Sequence, residues 1–179
     1  ESDLARIPGW ITTGNYALNW VISKDIFKGL PMGRVILLTG DAGSGKSMIA
    51  LSMMREPTID LIVYFDTEGG GISEEFGEFL GIDTSKVLYQ PMNTVEELKK
   101  KMGLVIDIIE KNKAKKNVLM VIDSVSMLTS ERELDDNAGA DMGNKAKQTR
   151  EFFRRYIRKM QKLNIACVMT GHLTSTIGG

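Results

Sequence analysis

An α/β domain with a mostly parallel central sheet and flanking helices is the fold class this sequence predicts. Three observations carry it. Five apolar runs of strand length recur along the chain, segments of helical periodicity separate them, and a glycine-rich loop lies between the first run and the first helix. The runs are continuously apolar rather than alternating, which is how strands covered on both faces of a parallel sheet read. Their alternation with helices is the pattern of a doubly wound domain.

The elements follow in order. Residues 34–39 read as a buried strand and 47–55 as the start of a helix. The link 54–60 is short for a helix end plus a crossover, so further residues are expected there. A second strand, 61–65, precedes a helix at 73–80, and a third strand is expected at 87–89. Residues 95–112 read as a helix because Leu98, Met102, Val105 and Ile109 share one face. The fourth strand is 118–122. Residues 130–144 are polar and acidic with Gly139 and Gly143, a long loop or a weak helix. A helix over 145–163 carries Phe153, Tyr156, Ile157 and Met160 at helical spacing, and strand 165–169 follows it. The tail 174–179 is Ser/Thr/Gly-rich and flexible in character. The chain stops soon after a central-looking strand, which predicts one domain over 1–179 that is truncated on its C-terminal side.

Composition limits the function classes. A chain of 179 residues, 42% hydrophobic, suits one globular domain. Lys plus Arg equals Asp plus Glu at 23 each, so a nucleic-acid or membrane role must rest on local charge. The single cysteine, Cys167, excludes an internal disulfide, sits in an apolar run as a core residue would, and fits an intracellular compartment. No apolar run approaches ~20 residues, and no secretory signal pattern opens the chain.

The chemistry begins at Gly40-Asp41-Ala42-Gly43-Ser44-Gly45-Lys46-Ser47, which fits G-x-x-x-x-G-K-S/T, the phosphate-binding P-loop. Glycines let the backbone turn its N–H groups toward phosphate oxygens. Lys46 would meet the β/γ-phosphates, Ser47 would offer a hydroxyl to Mg²⁺, and the helix N-terminus favours the same anion. Strand 118–122 ends at Asp123, a carboxylate at the sheet's carboxyl edge that would hold Mg²⁺ through its waters. Strand 61–65 ends in Asp66-Thr67-Glu68, and Glu68 is the candidate base for an in-line water, weighed evenly against a solvated turn carboxylate. His172, the only histidine, follows the last strand at the same edge, where it could hydrogen-bond a γ-phosphate. The cations of 145–162 read largely as a solvated basic face. Lys145 and Lys147 lie beside the glycine loop and suit phosphate-backbone contacts.

Taken together, these residues resemble the RecA/RadA recombinases, most of all the phage UvsX-type members. Residues 11–20 resemble the family's S/T-T-G-x-x-x-L-D segment and 29–35 its G-L-P-x-G-R lead-in. Asp66-Thr67-Glu68 resembles the D-x-E of its catalytic glutamate, Val121-Ile122-Asp123-Ser124 its Walker B, and residues 141–147 the first DNA-binding loop. The resemblance implies a RecA-like P-loop core that binds single-stranded DNA, hydrolyses ATP with Mg²⁺ and supports homologous strand exchange in recombination and repair. It implies a homo-oligomeric filament, later pairing with duplex DNA, in the cytoplasm of a bacterium or phage-infected host. Phe76 takes the position of the aromatic that stacks on adenine. Residues 130–147, with Met142, Lys145 and Lys147, correspond to the first DNA loop. Residues 173–179, with Thr174 and Ser175, begin the second. His172 departs from the glutamine common in cellular members. A hexameric helicase motor and a non-hydrolysing recombination mediator are the alternatives.

Overall fold

The computed structural model describes residues 7–112, 116–134 and 142–172; for 134 and 142–145 the description is of the backbone. Residues Trp10–Ile11 (β1) and Leu30–Pro31 (β2) form a short antiparallel pair, Ile11 opposite Leu30. Between them runs helix α1, Tyr16–Ser23, N-capped by the Asn15 side chain and closed by Lys24 in the left-handed region. Asn19 holds this unit together. Its buried amide accepts from Thr13 N (2.9 Å) and Thr13 Oγ1 (2.7 Å) and donates to Thr12 Oγ1 (3.0 Å) and Ile26 O (2.7 Å). Glycine is required at Gly29, where a Cβ would lie 2.4 Å from Ile11 O.

The remaining elements alternate as predicted: β3 Val35–Gly40, α2 Lys46–Met53, β4 Leu61–Asp66, α3 Glu74–Phe79, β5 Val87–Pro91, α4 Val95–Asn112, β6 Val118–Asp123, α5 Met142–Lys162 and β7 Ile165–His172. The five long strands are all parallel, in the order β3-β7-β6-β4-β5. Every residue of β6 is buried, and β4 and β7 nearly so, which accounts for their unbroken apolar runs.

Successive side chains point to opposite faces and divide the core in two. Val63, Phe65, Met120 and Ile122 pack with Met102 and Ile106 of α4 and Phe152 and Met160 of α5. Ile62, Tyr64, Leu119, Val121 and Val168 pack with Ala50, Leu51 and Met53 of α2. Cys167 is fully buried, and burial pushes its thiol up to about 12, as a core residue's should be. Helices α4 and α5 are bound to each other by Lys159 with Asp107 (3.2 Å) and Glu110 (2.7 Å), and by Gln148, which bridges Lys99 and Glu96. Part of the basic face of α5 is therefore spent on a neighbouring helix rather than on solvent. No helix among the described residues is long and apolar enough to cross a membrane.

Several expectations need correction. The strand expected to be buried at 34–39 is half-exposed, with Leu37 at 49%. Among the described residues β3 pairs with β7 alone. The link 54–60 needs no longer crossover: consecutive turns carry it, with Ile59 buried and Asp60 N donating to Asn117 O. Within 130–144, Glu131–Leu134 form a 3₁₀ turn, and helix α5 starts at Met142, three residues before the expected Lys145. His172 does not follow the last strand but is its final residue, because β7 runs on to pair with Gly40 at the tip of β3.

Candidate active site

The chain's polar chemistry gathers where the parallel strands end. Gly40, Asp66, Asp123 and His172 are the last residues of β3, β4, β6 and β7. Register sets Gly40 beside His172 and Asp66 beside Asp123. A parallel sheet of this kind presents its ligand crevice at this edge.

The loop after β3 turns through Gly43 (φ 73°) and Gly45 (φ 88°), left-handed conformations that a side chain would strain, and Gly45 leads directly into α2. Lys46, at 8% exposure, folds back over this loop and donates to Gly40 O (3.0 Å) and Asp41 O (2.7 Å). A cavity of about 320 Å³ is lined by Ala42, Gly43 and Gly45 through Met48 on one side. Glu68, Asp123, Thr170 and His172 line the other. Lys46, Ser47, Glu68, Asp123 and His172, singled out from sequence, thus share one cavity. Gly40, Asp41 and Ser44 shape the loop without lining it. A larger depression of about 430 Å³ lies between α4 and α5, but its Glu96 and Glu151 stand among Lys99, Lys100 and Arg155 without a focused charge.

Asp123 is nearly buried. Its carboxylate accepts from the Thr170 hydroxyl and, at 3.4 Å, from Tyr64 OH. Burial, then the charges of Asp123 and Asp66, push the Tyr64 phenol well above its ordinary range, so it remains a donor. Thr67 ties the strand tips together: its N–H donates to Asp123 O (3.0 Å), and its hydroxyl donates to Ser124 O (2.7 Å) while accepting from Ser124 N (2.8 Å). Glu68 is 45% exposed in its side chain, with Oε1 3.7 Å from His172 Nε2, and His172 N donates to Ser126 Oγ (2.8 Å).

Asp66, at 3% exposure, accepts four hydrogen bonds: Glu68 N (2.9 Å), Gly69 N (3.0 Å), Gly71 N (2.8 Å) and Tyr89 OH (2.6 Å). Burial raises its pKa, but these bonds outweigh that and hold it below the ordinary aspartate value. The bond from Tyr89 pushes that phenol up to about 12.

Other sequence-derived residues do not join the cavity. Phe76 lies on α3, 41% exposed and stacked on Phe79 at 6.5 Å, and is not among the lining residues. The backbone of Met142, Lys145 and Lys147 is helical, and Lys147 is exposed. Thr174 and Ser175 lie outside the described residues. Sequence reasoning alone does not single out Thr170, Tyr64 or Tyr89. The available signal is a hydroxyl at or near the tip of an otherwise apolar strand.

The sequence profile of the RecA N-terminal domain matches residues 6–179, almost the whole chain. The chain belongs to the RecA family. Among curated relatives, the recombination and repair protein of Enterobacteria phage T4 is 28% identical over 167 residues, covering 89% of this chain and 41% of that protein. Protein RecA of Colwellia psychrerythraea is 25% identical over 171 residues, covering 94% and 47%. That of Cytophaga hutchinsonii is 28% identical over 176 residues, covering 94% and 45%. The chain spans less than half the length of these RecA-family relatives.

Proposed function

We propose that this chain is the ATP-hydrolysing core of a DNA recombinase. The observation that carries the reading is the convergence of Lys46, Ser47, Glu68, Asp123 and His172 on one cavity at the carboxyl edge of the sheet. Lys46 neutralises β/γ-phosphate charge by exchanging its two carbonyl partners for phosphate oxygens, an exchange of neutral acceptors for charged ones. The N–H groups of the loop and the N-terminus of α2 face the same anion.

Mg²⁺ fits the donors present. Ser47 and Asp123 offer a hydroxyl and a carboxylate to one cavity, hard oxygens of the kind this ion prefers. Among the described residues no group of three or more His, Cys, Asp or Glu could hold a metal, so the ion would be shared with the nucleotide's phosphates and water. When bound, it would neutralise charge developing on the transferred phosphoryl group. Glu68 orients the attacking water and takes its proton. His172, 3.7 Å from Glu68 and paired with Gly40 of the P-loop, registers whether the γ-phosphate is present and passes this to the residues after it.

The family match and the names of the relatives support recombination and repair over a helicase motor. The placement of Glu68 in the cavity supports hydrolysis over a purely binding mediator. Lys145, Lys147, Met142, Thr174 and Ser175 are proposed to meet single-stranded DNA, and the intact protein to polymerise on it and then engage duplex. The test is ATP hydrolysis by the intact protein with and without single-stranded DNA, beside Lys46→Ala. DNA-stimulated turnover that Lys46→Ala abolishes is expected. Hydrolysis that survives this substitution would remove the P-loop from the reading.

A further inference from the structure

Among the described residues, little holds the Glu68 side chain. Its carboxylate stands 3.7 Å from His172, too far for a bond that would fix it. Its position is therefore set by its backbone, and that backbone is held by Asp66. An ionised carboxylate only accepts, with about four lone-pair sites. Asp66 fills them with three amides of the loop that carries Glu68, from Glu68, Gly69 and Gly71, and with one side chain from another strand, Tyr89 OH.

A turn cap alone would account for the three amides. It does not account for Tyr89. This phenol reaches Asp66 from β5 at 2.6 Å, on the same carboxylate oxygen as Gly71 N. The loop passes close against it: Gly71 adopts φ 58°, and a Cβ there would lie 3.5 Å from Tyr89 OH. The Tyr89 ring stacks on Tyr64 at 6.1 Å and 19°, and Tyr64 OH faces Asp123. The stacked pair thus spans the two carboxylate neighbourhoods of the site, with rigid rings rather than flexible chains.

We propose that Asp66 and Tyr89 form a latch that positions Glu68 for hydrolysis, Tyr89 acting as a positioning residue that never touches the substrate. This rests on the reading of Glu68 as the base. Substituting Tyr89→Phe keeps the ring and its stack and removes only the hydroxyl.

In the intact, nucleotide-free protein, amide hydrogen exchange over residues 67–72 should quicken several-fold, with the β-strand amides unchanged. DNA-stimulated kcat should fall roughly five- to tenfold, the scale of one hydrogen bond, while KM for ATP stays within about twofold. In a Glu68→Gln background the same change should cost nothing further, because residues acting as a unit are not additive. Unaltered exchange would overturn the latch. So would quickened exchange without a fall in kcat, an effect expressed in KM alone, or an equal fall in the Glu68→Gln background. If the unsubstituted protein hydrolyses no ATP, the functional reading itself falls and takes this proposal with it, a result seen before any variant is made and independent of the exchange measurement.

Discussion

Thr170→Val removes one hydroxyl from the floor of the cavity and leaves the shape of the side chain nearly unchanged. Thr170 is fully buried and donates to Asp123 Oδ1, while the other donor to that carboxylate, Tyr64 OH, stands at 3.4 Å, near the limit of a useful bond. A hydrogen bond to a charged group is worth about 1.5–3 kcal/mol, and a buried methyl in its place returns up to about 0.8 kcal/mol. The net loss is about 1–2 kcal/mol. For a domain of this size that lowers Tm by roughly 2–8 °C. The carboxylate also loses the partner that orients it, and removing such a partner weakens metal binding by roughly 10–100-fold. The expected result is a modest fall in Tm by calorimetry without nucleotide. In the intact protein, the Mg²⁺ concentration for half-maximal ATP turnover should rise about tenfold or more, with turnover recovering at saturating Mg²⁺. A variant with the parent's Tm and the parent's Mg²⁺ dependence would refute the argument that Thr170 aims Asp123 at the metal.

Three further outcomes are expected. Glu68→Gln should keep ATP binding and lower turnover by roughly 10²-fold or more, and rapid-quench kinetics showing the parent's rate would move the base elsewhere. Lys145→Ala with Lys147→Ala should reduce the log–log salt slope of single-stranded-DNA affinity by about 0.7 for each phosphate that is no longer neutralised, with ATP affinity without DNA unchanged. The parent's slope in the double variant would leave these cations as a solvated face. His172→Ala should preserve nucleotide affinity without DNA and abolish the difference in DNA affinity between ATP-analogue and ADP states, a coupling that must be reciprocal. An unchanged ratio of those affinities would return His172 to a strand-end residue without a sensing role.

The strands at 61–65, 118–122 and 165–169 were legible because burial on both faces demands an unbroken apolar run, and β4, β6 and β7 have it. The strand before the P-loop carries the same apolar signal, and among the described residues it is covered on one flank by β7. The β1–β2 pair escaped because two residues a side have no period to read. Asn19 ties together the segments that flank it, through four hydrogen bonds to Thr12, Thr13 and Ile26, while Ile11 and Leu30 are buried in the core.

The order of residues suffices for chemistry that is local: a glycine loop ending in Lys46 and Ser47, acids at the ends of apolar runs, and one histidine. These depend on spacings of a few residues, which the chain carries wherever it folds. Which of these groups meet was settled only by folding. Thr170 reaches Asp123 across 47 positions of sequence, Tyr64 reaches the same carboxylate across 59, and Tyr89 reaches Asp66 across 23. Parallel strands have no short turn to set their neighbours. Their order and register come from burying two apolar faces at once, and the order β3-β7-β6-β4-β5 brings these strand tips to one edge.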